Sequence, residues 1–188
     1  HYQGKYFDNK IKAEKMLKDN LSELRQAAQP DTSVQELTVY GLADIAFERG
    51  DYPVAEPRLR GALEEYPSSA NAIRGRNQLA LCIWRKAVEE YRLLSNDKIA
   101  DDQRQRTQKQ LIDSLNKAAE EFALVEKSLL SRPADSLTTT ERECLTKAGF
   151  SVADVQCVAG RYQEALDRYE ELVKRHAGTV YELHAIRQ

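Results

Sequence analysis

Leu42-Ala43-Asp44-Ile45-Ala46-Phe47-Glu48-Arg49-Gly50-Asp51-Tyr52-Pro53-Val54-Ala55 aligns without a gap with Val152-Ala153-Asp154-Val155-Gln156-Cys157-Val158-Ala159-Gly160-Arg161-Tyr162-Gln163-Glu164-Ala165, 110 positions later. Both segments carry a Gly-x-Tyr-x-x-Ala core. The glycine falls where one amphipathic helix must stop and reverse, because it can take the positive φ that closes a helix without steric cost. Beyond each core the apolar spacing continues, as Ala55, Leu59 and Ala62 in the first copy and Ala165, Tyr169 and Leu172 in the second. That i, i+4, i+7 stripe predicts a second helix. Pro67 follows the first stripe as a stop signal. Small alanines facing larger side chains let two antiparallel helices approach closely, so each copy reads as a helical hairpin.

This pattern resembles the tetratricopeptide repeat (TPR) family, whose unit is about 34 residues of helix, turn and helix. The match is strongest at the turn and second helix. In the first helix the family's favoured aromatic is replaced by Val39 and Gly149. The resemblance implies an all-α fold, a right-handed α-solenoid of antiparallel helical hairpins forming a single domain over residues 1–188. Two repeats are expected at 32–67 and 137–177. A partial repeat is expected at 4–29, where Gly4-Lys5-Tyr6 reads as a turn followed by the stripe Ile11, Ala13, Met16, Leu17, Leu21 and Leu24. Residues 179–188 read as the opening helix of a further repeat. With Met16 the sole methionine, the chain is read as a fragment of a longer protein whose solenoid continues on both sides.

The middle of the chain departs from this regularity. From Ala70 the apolar positions Ile73, Leu79, Ala80, Leu81, Ile83, Trp84, Val88, Tyr91 and Leu94 run on without a Gly-x-Tyr turn. The returning stripe is Leu111, Ile112, Leu115, Ala118, Ala119, Phe122, Val125 and Leu129, stopping near Arg132-Pro133. Ala118, the counterpart of Ala55, lies 63 positions after it, where about 34 are expected. Residues 70–132 are therefore expected to form an elongated, projecting hairpin with its tip near Asn96-Asp97-Lys98. Asp101 to Gln110 contains no apolar residue, so that part is expected to be solvated on every side. Thr138-Thr139-Thr140 before Glu141 and Glu143 reads as a helix start, with capping hydroxyls and acids favoured by the helix dipole. Pro53 occupies a tolerated first-turn position, whereas Pro57 lies deeper and predicts a local bend in the second helix of the first full repeat.

Composition narrows the function. The 28 basic and 30 acidic residues nearly cancel, which gives no field to attract a phosphate backbone or an anionic membrane, so nucleic acid is not the expected partner. No stretch approaches the roughly 20 apolar residues of a membrane span, so no membrane insertion is expected of this soluble chain. Cys82, Cys144 and Cys157 have no metal-type spacing and read as small buried hydrophobes. They lean toward a reducing, cytoplasmic compartment, with the periplasm as the alternative, and the compartment is otherwise unassigned. His1, His176 and His184 are scattered, and no nucleophile elbow, phosphate loop or dinucleotide turn is present. Neither catalysis nor a cofactor or metal is expected.

In the family the first helices of successive repeats line a concave groove. Carried onto this chain, that implies a candidate groove of Tyr40, Asp44 and Phe47, then Arg74, Gln78 and Leu81, then Phe150, Asp154 and Cys157. Aromatic anchors interspersed with single charges suit an extended peptide or a partner helix, the former supplying affinity and the latter register. The expected function is thus a non-enzymatic scaffold for a protein or peptide partner. Two alternatives use the projecting hairpin: a structural element that makes a homo-oligomer by self-association, and an accessory subunit of a bacterial envelope complex.

Overall fold

The computed structural model describes residues 2–27, 31–96 and 98–178, with side chains from Asp8 onward. Among these residues the chain is all-α. Its seven helices are α1 (Tyr2–Gln26), α2 (Thr32–Glu48), α3 (Tyr52–Glu65), α4 (Ala72–Leu94), α5 (Asp101–Leu130), α6 (Thr139–Val158) and α7 (Tyr162–Arg175), with a 3-10 turn at Ala134–Ser136 and no strand. Packing divides the chain into two compact units, 1–82 and 83–188. The boundary falls within α4, inside the stretch read from the sequence as the elongated repeat. Residues 28 and 29, Asp97 at the expected tip and the expected repeat start Thr179–Gln188 lie outside the described residues.

In the first unit α2 packs against both α1 and α3. Asp31 caps α2 through its carboxylate, which accepts from the amides of Ser33 (3.0 Å) and Val34 (3.2 Å). The helix closes at Gly50, whose φ is 74°. The Gly50 amide donates to the Phe47 carbonyl at 2.9 Å and the Asp51 amide to the Ala46 carbonyl at 3.0 Å. These two bonds satisfy carbonyls that the end of the helix would otherwise leave orphaned. Tyr66, just past α3, then meets the first half of α2, where its hydroxyl donates to Gln35 at 3.3 Å and its carbonyl accepts from Tyr40 at 3.2 Å. At the other end of the pair the rings of Phe47 and Tyr52 meet edge to face, 5.7 Å apart. Ala43, Ala46, Ala55, Leu59 and Ala62 are buried between.

The second unit repeats this construction with α6 packed on α5 and α7. Gly160, with φ 76°, closes α6 through the same bonds, from its own amide to Cys157 (3.0 Å) and from Arg161 to Gln156 (2.9 Å). At the start of α6 the Thr138 hydroxyl accepts from the Glu141 amide and the Glu141 carboxylate accepts from the Thr138 amide, a reciprocal cap. Arg132, 2.5 Å away, and the Thr138 bonds hold the Glu141 carboxyl down at about 2. Phe122, Val125, Leu129, Phe150, Ala153, Ala165, Tyr169 and Leu172 fill the core.

Several expectations are corrected. Gly4-Lys5-Tyr6 is no turn, because α1 is helical from Tyr2 onward. The first turns of α5 are not solvated on every side. Thr107 is buried, and Arg104 turns back to donate to the carbonyls of Leu94 (3.0 Å) and Asn96 (3.3 Å). The cysteines differ from one another: Cys82 is buried, Cys144 half-buried and Cys157 exposed, so Cys157 is not the core residue expected. Burial first, and then the negative charge of Glu56, push the Cys82 thiol up to about 12.

Candidate interaction surface

The first unit brings Tyr40, Asp44, Arg74 and Gln78 together. Asp44 projects from the fourth turn of α2 toward α4, where the Arg74 guanidinium lies 2.6 Å from its carboxylate. Burial raises the Asp44 pKa, while the charge of Arg74 and the Gln78 side chain pull the other way. Arg74 also reaches the Asn71 side chain at 3.3 Å and keeps 43% of its own side-chain surface exposed. The ion pair thus ties α2 to α4 at the edge of the core rather than inside it. Leu81 and Phe47 are half-buried, the latter against Tyr52.

Tyr40 is not the accessible anchor expected from its helical position. It is buried beneath α4, its hydroxyl spent on the Tyr66 carbonyl and its pKa raised to about 12 by that burial. Phe150 is corrected in the same way. It belongs to the core of the second unit with Ala153, Ala165, Tyr169 and Leu172, and stacks on the His176 ring at 6.1 Å. Desolvation, and then the neighbouring Arg175, hold the His176 pKa below the ordinary value. Asp154 is engaged inside its own helix pair, accepting from the Tyr169 hydroxyl at 2.5 Å. Both aromatics follow from one physical cause: large rings on closely packed helices are worth more buried than exposed.

The exposed anchor that the sequence reading missed is Leu37, 62% exposed. It stands seven residues before Asp44 and so on the same face of α2. Counting that period backward from Asp44 would have found it. Two acids held by arginines were also missed, half-buried Glu14 and buried Glu126. Glu14 on α1 accepts from Arg49 (2.6 Å), Arg58 (2.8 Å) and Lys18 (3.0 Å), and Arg58 above all, with Lys18, lowers its carboxyl to about 2. Glu126 on α5 accepts from Arg168 and, at 2.7 Å, from Arg175 of α7. Arg58 and Arg168 each stand three residues after the repeat alanine, and each reaches back to a glutamate on an earlier helix of its own unit.

Among the described residues no three His, Cys, Asp or Glu side chains are grouped as a metal site would need, and no helix is long and apolar enough to cross a membrane. The clefts are shallow. One of about 290 Å³ lies between α1 and α2, lined by Asn20, Glu23, Leu24, Ala27 and Val34. No protein-family model, curated protein or solved structure matches the chain.

Proposed function

We propose that this chain is a protein-interaction module of tetratricopeptide type, built of antiparallel helical hairpins stacked in a right-handed solenoid, and that it works by binding rather than by catalysis. The surface that best supports this reading is the one α2 and α4 share in the first unit. One observation carries it: Leu37 stands exposed on the same face of α2 as the Asp44–Arg74 pair. An apolar side chain open to solvent beside a fixed, half-exposed charge pair offers a peptide or partner helix one anchor for affinity and one for register. The buried ring of Tyr40 stiffens the surface from below and lowers the entropy lost on binding.

The test is capture of partners on the immobilised chain against Leu37→Glu and Arg74→Ala. Both side chains are exposed enough to be replaced with the helices intact. The reading expects the same proteins to drop out with both variants while far-ultraviolet circular dichroism stays unchanged. An identical set captured by all three would sink it.

A further inference from the structure

Arg58 of α3 and Arg168 of α7 occupy equivalent places and reach back to Glu14 of α1 and Glu126 of α5, yet the helices that carry these acids are held in different ways. Four and one residues before Glu126, and three after it, stand Phe122, Val125 and Leu129, all fully buried. The same steps from Glu14 lead to Lys10, Ala13 and Leu17. Lys10 pairs with Glu48 at 2.6 Å, while Ala13 and Leu17 are only half-buried. Among the described residues no side chain of α1 is buried, and Ile11 and Met16 are 46% and 69% exposed. Charge supplies what apolar packing does not. Lys10 to Glu48, Glu14 to Arg49 and Arg58, and Arg25 to Glu65 at 3.0 Å tie α1 to the α2–α3 pair over about four turns.

We infer that α1 is a strap, latched by charge, which opens as a unit while α2 and α3 stay folded. Ion pairs with exposed members are weak and are screened by salt, and a segment short of buried apolar contacts lies at the low end of local stability. The α2–α3 pair has its own means of cohesion. It encloses Ala43, Ala46, Ala55, Leu59 and Ala62, each at most 2% exposed, and Tyr66 ties its two helices together through Gln35 and Tyr40. Arg58 keeps a second anchor when Glu14 leaves, since it also donates to the Leu42 carbonyl at 2.9 Å. Leu17 of the strap rests over Gly41, where a β-carbon would stand 3.3 Å from its Cδ1. Release therefore uncovers the stripe Val34, Thr38, Gly41 and Ile45, beside Leu37 on α2. Opening widens the face of α2 offered to a partner. Only that consequence rests on the binding reading given above, and the opening itself does not.

Residue-resolved hydrogen exchange of the full chain, without any partner, reads the opening. At neutral pH and about 0.05 M sodium chloride, amides of residues 10–25 should exchange at least about tenfold faster than those of 40–47 and 56–63. Glu14→Gln should speed residues 10–25 by a further factor of at least about three and leave the other two segments unchanged. Raising the salt of the parent chain to about 1 M should act in the same direction. One common rate for the three segments would mean that α1 leaves only when its unit unfolds, and overturns the inference. Exchange of residues 10–25 that is indifferent to Glu14→Gln or to salt overturns it as well, because the strap would then not be held by charge.

Discussion

Gly75 lies so close over the ring of Tyr40 that a β-carbon on it would stand 2.7 Å from Cε1 and 3.3 Å from Cδ1. The ring cannot withdraw, because its hydroxyl is bonded to Tyr66 and its faces are buried. Alanine is the better helix former by about 1 kcal/mol, but overpacking a core costs about 1–3 kcal/mol. Gly75→Ala should therefore destabilise the first unit by about 1 kcal/mol. Pairing it with Tyr40→Leu should cost less than the sum of the two single changes, since the second removes what the first strikes. Residue-resolved hydrogen exchange across α2 and α3 measures both.

Glu126 is buried against Arg168 and Arg175, and Glu171 holds the outer side of both arginines, at 2.6 Å from Arg175. Removing the central acid leaves two half-buried guanidinium groups with the rim acid Glu171 alone to offset their charge. Glu126→Ala should cost the second unit about 3–5 kcal/mol, whereas Glu171→Ala, at the exposed rim, should cost under about 1 kcal/mol. Urea unfolding followed through Trp84, which belongs to the same unit, separates them.

Glu14 predicts a pH dependence of definite sign. Its carboxyl sits near 2 in the folded chain against an ordinary value of 4.5. A depressed acid stabilises the fold above its unfolded pKa and loses that contribution as pH falls through the folded one. The stability gap between the parent chain and Glu14→Gln should thus be constant near neutrality and close between about pH 4.5 and about 2. Thermal melts over that range read it, and a gap that does not shrink would contradict the clamp.

Glu90 is 7% exposed on the buried stripe that also holds Ile83 and Ala87, and its Oε2 has no hydrogen-bond partner. An unpaired buried carboxylate costs free energy that a hydrophobic residue of similar size does not. Glu90→Leu should raise stability by about 1 kcal/mol, seen as a higher urea midpoint. A lower midpoint would show that the carboxylate is satisfied.

The turns were the most legible part of this fold. Gly50 and Gly160 sit where positive φ is needed, and Thr138 with Glu141 announces a reciprocal cap, because both signals are local in sequence. Burial across helices was less legible. Periodicity put Tyr40 and Phe150 on a particular side of their helices but did not say that α4 covers the first and α7 packs on the second. Thr107 was misread because threonine does not register as apolar, although its methyl packs as one. The Glu126–Arg175 pair spans 49 positions, beyond any local rule. At the proposed surface the polar residues Asp44, Arg74 and Gln78 were named through the family resemblance, and the structure brings them together. Leu37 was overlooked because attention to aromatics passed over an aliphatic anchor.

The central claim, that the α2–α4 face binds a protein partner, is tested most directly by hydrogen exchange of the chain alone and in complex with a captured partner. The account predicts new protection on binding concentrated in residues 33–48 and 71–81, lost again with Leu37→Glu. Protection confined to α5 or α7, with α2 and α4 unchanged, would contradict it.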